Sequence, residues 1–368
     1  MGDKAARIVH VTTAHAAGDI RIFWKECVCL AEAGFDVYLL AVCERDHDVK
    51  GVHVIALPAL TSRWRRMLLG PWRAWRALRT LRPDVVHVHD PELIPLALLW
   101  RILKHPAAAV YDAHEDLPKQ VMGKAYIPPR LRPALAYAGH ALERSADRWL
   151  DGVVAATPAI ARKYHHAPVV LVQNFPWLRD FPVASPMDDA CTDVVYIGAI
   201  AQGRGALEMM RAVEASTREA RLLLVGPVAS AELRRNIEHS QTAKYIGRVS
   251  ASEVPQLIAD ARLGLAVLHP LPNYLEAQST KLFEYMAAGR PFIASNFPSW
   301  LSLLGPYDCG LFVDPLDTDA LTAAIDSLLG DVQMARSMGE RGRAALLHHF
   351  GFEREAVKLI GMTSRLLK

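Results

Sequence analysis

Two glutamates, Glu276 and Glu284, stand eight positions apart in the segment EAQSTKLFEYMAAGRP (276–291). Ser279 and Thr280, which lie between them, are residue types that cap the N-termini of helices, and an apolar run follows. The pattern predicts a loop that carries Glu276 and then a helix that carries Glu284 in its first turns. The two carboxylates would therefore flank the start of that helix.

The start of a helix is a natural phosphate site, because its first backbone N–H groups have no partner within the helix. Lys281 adds a positive charge in the first turn. Carboxylates accept hydrogen bonds from adjacent sugar hydroxyls, so glutamates on both sides suggest a phosphate with a sugar on each side. A nucleoside diphosphate sugar has that chemistry. The alternative is a surface helix with two solvated glutamates.

Short apolar runs alternate with helical patterns in both halves of the chain, which is typical of a doubly wound parallel sheet. The predicted strands are 7–13, 36–42, 52–57, 84–89, 108–114, 152–157 and 169–174, then 193–200, 221–226, 243–247, 263–268, 291–295 and 310–314. In such sheets ligands bind beyond the carboxyl ends of the strands. The candidate site residues that follow strands are His15, Gly18, Asp19, His89, Asp90, His114, Glu115 and Asp116, and then Gly198 to Gly205, Gly226, Gly247, Arg248 and His269.

The segment GAIAQGRG (198–205) follows a predicted strand, and its Arg204 could hold a diphosphate through two parallel hydrogen bonds. The alternative is an arginine solvated in a loop. The glycine spacing differs from the dinucleotide-binding fingerprint, and the sequence contains no P-loop, G-x-S-x-G or H-E-x-x-H motif. These absences argue against a P-loop NTPase, the common hydrolases and the zincins. We expect no metal at the site.

The segment YDAHED (111–116) brings His114 and Glu115 to the end of a predicted strand. The histidine could orient substrate hydroxyls or donate a hydrogen bond to a leaving phosphate, although a structural histidine explains the spacing equally well. The segment HVHDPE (87–92) has two histidines on one strand face. We expect its Asp90 to cap the following helix rather than to bind a metal.

The segment 61–82 contains seven arginines, three tryptophans and no acidic residue. One helical stripe is predicted to carry its apolar residues, which are Trp64, Leu68, Trp72, Trp75 and Leu78. A basic amphipathic helix with tryptophans is a candidate for a membrane surface, and anionic headgroups would attract it. The alternative is a domain helix with buried tryptophans and a solvated basic face.

A chain of 368 residues exceeds one compact core of typical size, which predicts two domains. We expect a Rossmann-like domain over 1–174 and a proline-containing linker over 175–192. A second α/β domain is predicted over 193–345, and a final helix over 346–368.

The five cysteines show no paired spacing, which predicts reduced thiols in a cytosolic protein. The N-terminus lacks a long apolar signal core, and no segment reaches 18 uninterrupted apolar residues. We therefore expect a cytoplasmic protein, peripheral at the inner membrane face if 61–82 binds lipid. The mild net charge of +3 does not indicate a nucleic-acid partner.

The segment NYLEAQSTKLFEYMAAGRPFIAS (273–295) resembles the E-x7-E signature of retaining glycosyltransferases of family 4. Residues 15–41, 83–98 and 110–118 are similar to the opening strands and central loop of that family, and VVYIGAI resembles the start of its donor domain. The resemblance covers nearly the whole chain. It implies the GT-B architecture, in which two Rossmann-like domains face each other across a cleft and the C-terminal helix crosses back to the first domain.

The resemblance implies a donor site in the second domain. Glu284 would bind the ribose of the nucleotide, and Glu276 would lie near the donor sugar beside the reacting carbon. The groups implied to hold the diphosphate and the base are Arg204, Lys281, Ser279, Thr280, Leu282, Gly198, Gly247 and Arg248. Many members carry an arginine and then a lysine in the 198–205 loop, whereas this sequence has only Arg204 there. We expect Lys281 to supply the second cation.

In the first domain, the resemblance implies that His114 contacts the donor sugar or phosphate. His15, Gly18, Asp19 and Glu115 would lie on the acceptor side. The expected reaction is a metal-independent, retaining transfer of a hexosyl unit, with UDP as the favoured nucleotide, to an acceptor hydroxyl. The candidate acceptors are a lipid-linked substrate, a polysaccharide and a natural-product glycan. The alternatives are a sugar-nucleotide epimerase or hydrolase on the same fold, and a non-catalytic protein docked on a membrane.

Overall fold

The computed structural model describes residues 5–59, 62–103, 107–123, 127–181 and 187–368. The chain forms two compact units. Unit 1 comprises Met1–Asn174 together with Glu353–Lys368, and unit 2 comprises Phe175–Phe352. Part of the predicted linker, 182–186, lies outside the described residues.

Unit 1 is built on an eight-stranded sheet with the strand order β3-β4-β2-β1-β5-β6-β7-β8. Its strands are β1 Arg7–Ala16, β2 Asp36–Val42, β3 His47–Val49, β4 Val52–Leu57, β5 Val85–Val88, β6 Ala108–Ala113, β7 Gly152–Ala155 and β8 Val169–Leu171. All four residues of β5 are buried, which is the pattern of a parallel strand covered on both faces. The strands pair in parallel, as predicted, except at one edge.

The exception is β3, which pairs antiparallel with β4 and which the sequence pattern did not predict. The two residues between these strands, Lys50 and Gly51, both have positive φ angles, of 52° and 76°. Two such residues make the tight turn that joins antiparallel strands. The short β3 is thus the edge strand on this side of the sheet.

The helices of unit 1 cover both faces of its sheet. They are α1 Val28–Glu32, α2 Arg63–Leu81, α3 Ile94–Ile102, α4 Leu117–Gly123, α5 Arg132–Trp149 and α6 Pro158–Ala161. The helix predicted after β1 begins as a π-helix, Ile20–Cys27, and continues as α1. Asp19 caps it, because its side chain accepts hydrogen bonds from the amides of Arg21 and Ile22.

Only part of the apolar stripe predicted for 61–82 is covered by the sheet. Ala74 and Leu78 of α2 are completely buried and face the core, whereas Leu68 and Trp72 are exposed. The sheet therefore covers one part of the apolar stripe of α2 and leaves Leu68 and Trp72 uncovered. The side chain of Trp64, also assigned to the stripe, lies outside the part of the chain that the structure describes.

Unit 2 is built on a six-stranded parallel sheet with the order β11-β10-β9-β12-β13-β14. The strands are β9 Asp193–Ile197, β10 Arg221–Val225, β11 Ala243–Gly247, β12 Leu263–Ala266, β13 Phe292–Ser295 and β14 Gly310–Val313. The helices are α7 Ala206–Glu214, α8 Ala231–His239, α9 Val254–Asp260, α10 Thr280–Ala287, α11 Pro298–Leu304, α12 Thr318–Gly330 and α13 Val332–Ala345. Each strand begins within two residues of the predicted position.

The last helix, α14 Phe352–Leu366, packs within unit 1 from Glu353 onward. Its Glu355 carboxylate accepts a hydrogen bond from the amide of Gln173 at 2.9 Å. A Cβ atom on Gly152 would lie 2.1 Å from the methyl group of Met362, so the glycine leaves room for this helix. None of the helices in the described part of the chain is both long enough and apolar enough to span a bilayer.

Candidate functional site

The first turn of α10 is held at the carboxyl end of the unit 2 sheet by a buried tyrosine. The Tyr285 hydroxyl donates a hydrogen bond to the carbonyl of Leu265 in β12 at 3.0 Å. The Tyr285 ring occupies the space in which a Cβ atom on Gly264 would stand, at 2.5 Å. This packing places the start of the helix beside the loop that follows β9.

That loop brings Gly198 next to two cations. A Cβ atom on Gly198 would lie 3.6 Å from Nζ of Lys281 and 3.8 Å from the Arg204 guanidinium. The φ angle of Gly198 is +133°, which favours glycine. The strand end thus leaves a space beside two positive charges that a side chain would otherwise fill. Such a space suits the close approach of a phosphate to the backbone.

Lys281 is held in an unfavourable environment for a charge. The side chain is only 7% exposed, so its ammonium has lost most of its hydration. The Tyr196 ring, whose centre lies 5.1 Å from Nζ, attracts the charge but only partly offsets that loss. Burial, together with the nearby Arg204, lowers the pKa of Lys281 to about 8, against a smaller raising effect of Glu284. An anion bound between the two cations would relieve this strain.

The loop that carries Arg204 is fixed by Gly205. Its φ angle is +74°, and a Cβ atom there would lie 2.1 Å from the carbonyl oxygen of Val267. No other residue fits without moving the backbone after β12. The guanidinium of Arg204 lies 5.9 Å from the centre of the Tyr274 ring. The arginine is therefore positioned by a tight turn and an aromatic neighbour.

The helix start itself has the predicted composition. Ser279 occupies the N-cap position of α10 but its side chain makes no capping hydrogen bond, and Thr280 is the first helical residue. The amide of Leu282 donates to the carbonyl of Ser279 at 3.2 Å. Because this amide already has a partner, Leu282 is a weaker candidate for phosphate binding than the sequence suggested.

The two glutamates differ in exposure. Glu284 is half-buried on α10, close enough to Lys281 to affect its pKa, whereas Glu276 is exposed in the preceding loop. That loop is fastened by two hydrogen bonds to its backbone: the hydroxyl of Ser299 donates to Leu275 at 2.6 Å, and the indole of Trp300 donates to Ala277 at 2.7 Å. Glu276 thus projects from a restrained loop beside the helix that carries Lys281.

The predicted base-side residues, Gly247 and Arg248, follow β11. The carbonyl of Gly247 accepts a hydrogen bond from the amide of Gly226 at 2.7 Å. A Cβ atom on Gly226 would in turn lie 2.1 Å from the carbonyl oxygen of Gly198. The loops after β9, β10 and β11 therefore form one continuous rim. Arg248 lies on it.

In unit 1, the sheet brings together the predicted residues that follow β1, β5 and β6. His15 Nδ1 lies 3.2 Å from the Asp19 carboxylate, and the His15 ring lies 5.3 Å from the ring of His114. The hydrogen bond to Asp19 raises the pKa of His15, to which the nearby Glu115 also contributes. A Cβ atom on Gly18 would meet nothing within 4 Å, so this glycine borders open space.

Asp90 does not cap the following helix, so that prediction is wrong. Its carboxylate instead accepts hydrogen bonds from the last residues of β1, including the backbone amides of Thr13 and Ala14 and the hydroxyl of Thr12. Several donors on a neighbouring strand end compete successfully with the helix amides. Asp90 thus shapes the end of the strand that carries His15.

His114 is positioned by a buried carboxylate. Its Nδ1 lies 3.5 Å from the Asp112 carboxylate. Asp112 also accepts a hydrogen bond from His89 at 2.9 Å. Its two oxygens accept hydrogen bonds from Nε and Nη2 of Arg21. Burial opposes charging of His114, but Asp112 outweighs it and raises the pKa of His114. The His114 ring therefore lies beside a buried carboxylate that makes it easier to protonate.

Most of this buried network was not predicted from the sequence. His10 donates to or accepts from His89 at 2.9 Å, and Glu26 lies 3.2 Å from Arg21, all of them fully or nearly fully buried. Burial, with the neighbouring Asp112, raises the pKa of Glu26 well above its usual value. A signal was present, because charged residues within apolar strand and helix patterns, such as Arg21 and Glu26, require buried partners.

Two groups of this network have the composition of metal ligands: His10, Glu26 and His87, and Glu26, His89 and Asp112. The positive charge that such a cluster requires is already supplied by Arg21, which pairs with both Asp112 and Glu26. A divalent ion would bring a second positive charge into a buried site that already contains the Arg21 guanidinium. Arg21 thus supplies the counter-charge for the two carboxylates, while both ring nitrogens of His87 have no hydrogen-bond partner among the described residues.

Both halves of the chain match known families. Residues 21–175 match the model described as Glycosyltransferase Family 4, and residues 191–331 match the model described as Glycosyl transferases group 1. The chain is 22% identical to the glycogen synthase of Mycobacterium tuberculosis over 88% of its length and 85% of that protein. It is 28% identical to the MMP alpha-(1->4)-mannosyltransferase of Mycolicibacterium hassiacum over 32% of its length, a match that spans only 28% of that protein.

Solved structures share the fold over nearly the whole chain. The sucrose-phosphate synthase of Thermosynechococcus elongatus has a TM-score of 0.76 at 19% identity, with 98% of this chain and 99% of that chain covered. Anabaena HepE, solved in complex with UDP-glucose, has a TM-score of 0.73 at 14% identity, with 98% and 99% covered. Taken with the two family matches, these similarities show that the chain belongs to the group 1, family 4 glycosyltransferases and has the GT-B architecture.

Proposed function

We propose that this protein transfers a hexosyl unit from a nucleoside diphosphate sugar, with UDP favoured, to an acceptor hydroxyl with retention of configuration. The bond between the anomeric carbon and the diphosphate breaks, and a bond to the acceptor oxygen forms. The acceptor proton ends on the released diphosphate or in solvent. The UDP-glucose complex of Anabaena HepE supports the choice of UDP.

The observation that carries the proposal is the pair of cations beside Gly198. Lys281 and Arg204 converge on the space beside Gly198, at the start of α10. Fixed positive charges that need no reorganisation are what a departing diphosphate requires for stabilisation. We propose that these two side chains neutralise the leaving group and that no metal ion is needed for the reaction.

We propose that Glu284 holds the ribose and Glu276 the donor sugar, which places them on either side of the diphosphate. In unit 1, His114 is the group best suited to donate a proton or hydrogen bond to a substrate, because Asp112 both orients it and favours its protonated form. His15, with Asp19 beside it, would hold acceptor hydroxyls.

The first test is a thermal-shift screen with UDP, GDP and ADP and their glucose and mannose derivatives. A ligand present at about 100 times its dissociation constant adds about 2.7 kcal/mol to the free energy of unfolding. We expect one nucleotide series to stabilise the protein, without added metal and in the presence of a chelator. The absence of stabilisation by any of them would contradict the proposed donor class.

Two glutamate variants separate the proposed roles. Glu284→Ala should weaken binding of the free nucleoside diphosphate and of its sugar derivative equally, by roughly 10-fold to 150-fold for lost hydrogen bonds to a charged group. Glu276→Ala should weaken binding of the sugar derivative alone. Glu232→Ala, exposed on α8, is the control. Unchanged nucleotide affinity of Glu284→Ala, measured by calorimetry, would exclude the ribose role.

The rival activities on the same fold differ in their products. An epimerase or hydrolase would release an epimer or a free sugar from the bound nucleotide-sugar when no acceptor is present, whereas a transferase should turn over slowly until an acceptor is added. Analysis of the products by NMR separates these cases. A protein that binds nucleotide-sugars and forms no product with any acceptor would favour a non-catalytic role.

A further inference from the structure

Three helices of unit 1, α2, α3 and α5, cover the same face of its sheet. Ala74 and Leu78 of α2, Trp100 of α3 and Ala146 of α5 belong to one hydrophobic cluster with the strand residues that point to that face. The rings of Trp75 and Trp100 are 5.1 Å apart, so α2 and α3 are neighbours. The short turn Pro91–Leu93 packs against both α2 and α5. Their outer sides together form one surface.

The outer sides of these helices expose large apolar residues. Leu68 of α2 is 74% exposed, Trp72 of α2 is 54% exposed, and Ile102 of α3 is 71% exposed. The exposed residues of this surface also include Met67, Leu69, Leu99, Leu135, Tyr137 and Trp149. Single exposed apolar residues are ordinary, but this many on three adjacent helices indicates an interaction surface.

The exposed charges on the same three helices have one sign. α2 contains no acidic residue, and Arg65, Arg76 and Arg79 lie on it. The only acidic residues of α5, Glu143 and Asp147, are buried and paired within unit 1. The exposed basic residues on α3 and α5 are Arg101, Arg144 and Arg148, of which Arg101 is paired with the carboxylate of Asp151.

The tryptophans and arginines of this surface are arranged together. The guanidinium of Arg76 lies 5.0 Å from the centre of the Trp72 ring, and that of Arg148 lies 5.6 Å from the Trp149 ring. Tryptophan prefers the boundary between hydrocarbon and headgroups, and arginine binds phosphate oxygens with two parallel hydrogen bonds. The two residue types side by side suit the interface of a phospholipid bilayer.

We propose that α2, α3 and α5 form a docking surface for a membrane rich in anionic phospholipids. The arginines bind the headgroups, and Leu68, Trp72 and Ile102 insert at the level of the upper acyl chains. The surface is distinct from the proposed donor rim, which lies in unit 2. If the proposed transfer is correct, an enzyme held on a bilayer would take a lipid-linked acceptor, and only this last step rests on the proposed function.

The surface is tested by sedimentation of the full chain with vesicles of phosphatidylcholine alone or of equal parts phosphatidylcholine and phosphatidylglycerol. We expect binding to the anionic vesicles only, weakened by high salt because the attraction is screened. Arg76→Glu/Arg79→Glu should weaken binding about tenfold or more at low salt. Leu68→Ser/Trp72→Ser should weaken it at both salt concentrations.

Matched controls lie on exposed positions of unit 2. Arg235→Glu/Lys244→Glu changes the net charge equally, and Leu316→Ser removes an exposed leucine. Both controls should bind vesicles as the unaltered protein does. Thermal stabilisation by the nucleotide, which reports unit 2, should be unchanged in all variants and shows that they are folded. Because nucleotide stabilisation and vesicle binding are measured separately, failure of the docking surface can be distinguished from failure of the proposed donor site.

Three outcomes would overturn the docking surface. The unaltered protein could fail to bind anionic vesicles at low salt, or it could bind both kinds of vesicle equally. The variants on α2 could also bind as tightly as the two controls. Loss of self-association in the α2 variants, without any vesicle binding by the unaltered protein, would assign the surface to a second copy of the chain instead.

Discussion

Removal of the charge at Lys281 should stabilise the free protein. The pKa of this buried lysine falls from 10.5 to about 8, and its side chain is only 7% exposed. At about 1.4 kcal/mol for each pH unit, this depression corresponds to about 3 kcal/mol that opposes folding at neutral pH. Lys281→Met keeps a long apolar chain and removes the charge, so we expect a gain of up to about 3 kcal/mol.

The gain should depend on pH in a defined direction. Below pH 8 the lysine is protonated in the folded and the unfolded chain, and the full cost of burying the charge applies. Between pH 8 and 10.5 the unfolded chain binds more protons than the folded chain, so the unaltered protein gains stability as the pH rises. The advantage of Lys281→Met should therefore shrink through this window and vanish above it.

The same substitution should impair ligand binding. A phosphate between Lys281 and Arg204 favours the protonated lysine, so the affinity of the unaltered protein for a nucleoside diphosphate should fall as the pH rises through about 8. Lys281→Met should lose roughly 10-fold to 150-fold in affinity at neutral pH, the range for a hydrogen bond to a charged group. Lys281→Arg keeps the charge and serves as the control.

Urea unfolding at neutral and alkaline pH, with calorimetry of nucleotide binding, measures both effects. A Lys281→Met variant that is less stable than the unaltered protein at neutral pH would show that protein groups already stabilise the charge of Lys281. The charge would then not need a bound anion. A stability gain without any loss of affinity would show that the lysine is strained but is not part of the phosphate site.

Two further substitutions test the scaffold of each unit. Gly205→Ala should destabilise the protein by about 2 kcal/mol or more in urea unfolding, because its Cβ atom would collide with the Val267 carbonyl. It should also weaken nucleotide binding. Gly18→Ala, whose Cβ atom would stand in open space, should be nearly neutral in the same assay. Equal stabilities of the two variants would contradict the tight-turn argument. Asp112→Asn removes the carboxylate that pairs with two nitrogens of Arg21 and should cost up to about 3–5 kcal/mol in the same assay. A loss below about 1 kcal/mol would show that Glu26, the second buried partner of Arg21, balances the charge alone.

The sequence pattern predicted the parallel strands well because each is a short apolar run bounded by turn residues. The strand β11 was predicted at its observed bounds, 243–247, and β4 at 52–57. The antiparallel strand β3 was missed because its three residues, His47–Val49, are mostly polar and exposed at the sheet edge. Its existence depends on the Lys50–Gly51 turn, which has no strong signal in the sequence.

The amphipathic helix α2 shows what helical periodicity leaves undetermined. Helical periodicity placed Leu68 and Trp72 on the same stripe as Leu78, but only Leu78 packs against the sheet. A helix of nineteen residues that extends past its core leaves part of its apolar surface uncovered. Periodicity reports that a residue is apolar and on which side it lies, but not whether another element covers it.

The sequence by itself determined the alternation of strands and helices and the residue types at the strand ends, because both follow from local spacing along the chain. It therefore predicted the helix start at Ser279–Thr280 and the residues His15, His114 and Arg204 without a structure. Only tertiary structure decided which of these groups meet. The proximity of Lys281, Arg204 and Gly198 requires strands and helices distant in sequence to converge, and the buried Asp112 network exists only because neighbouring parallel strands align their polar residues on one face.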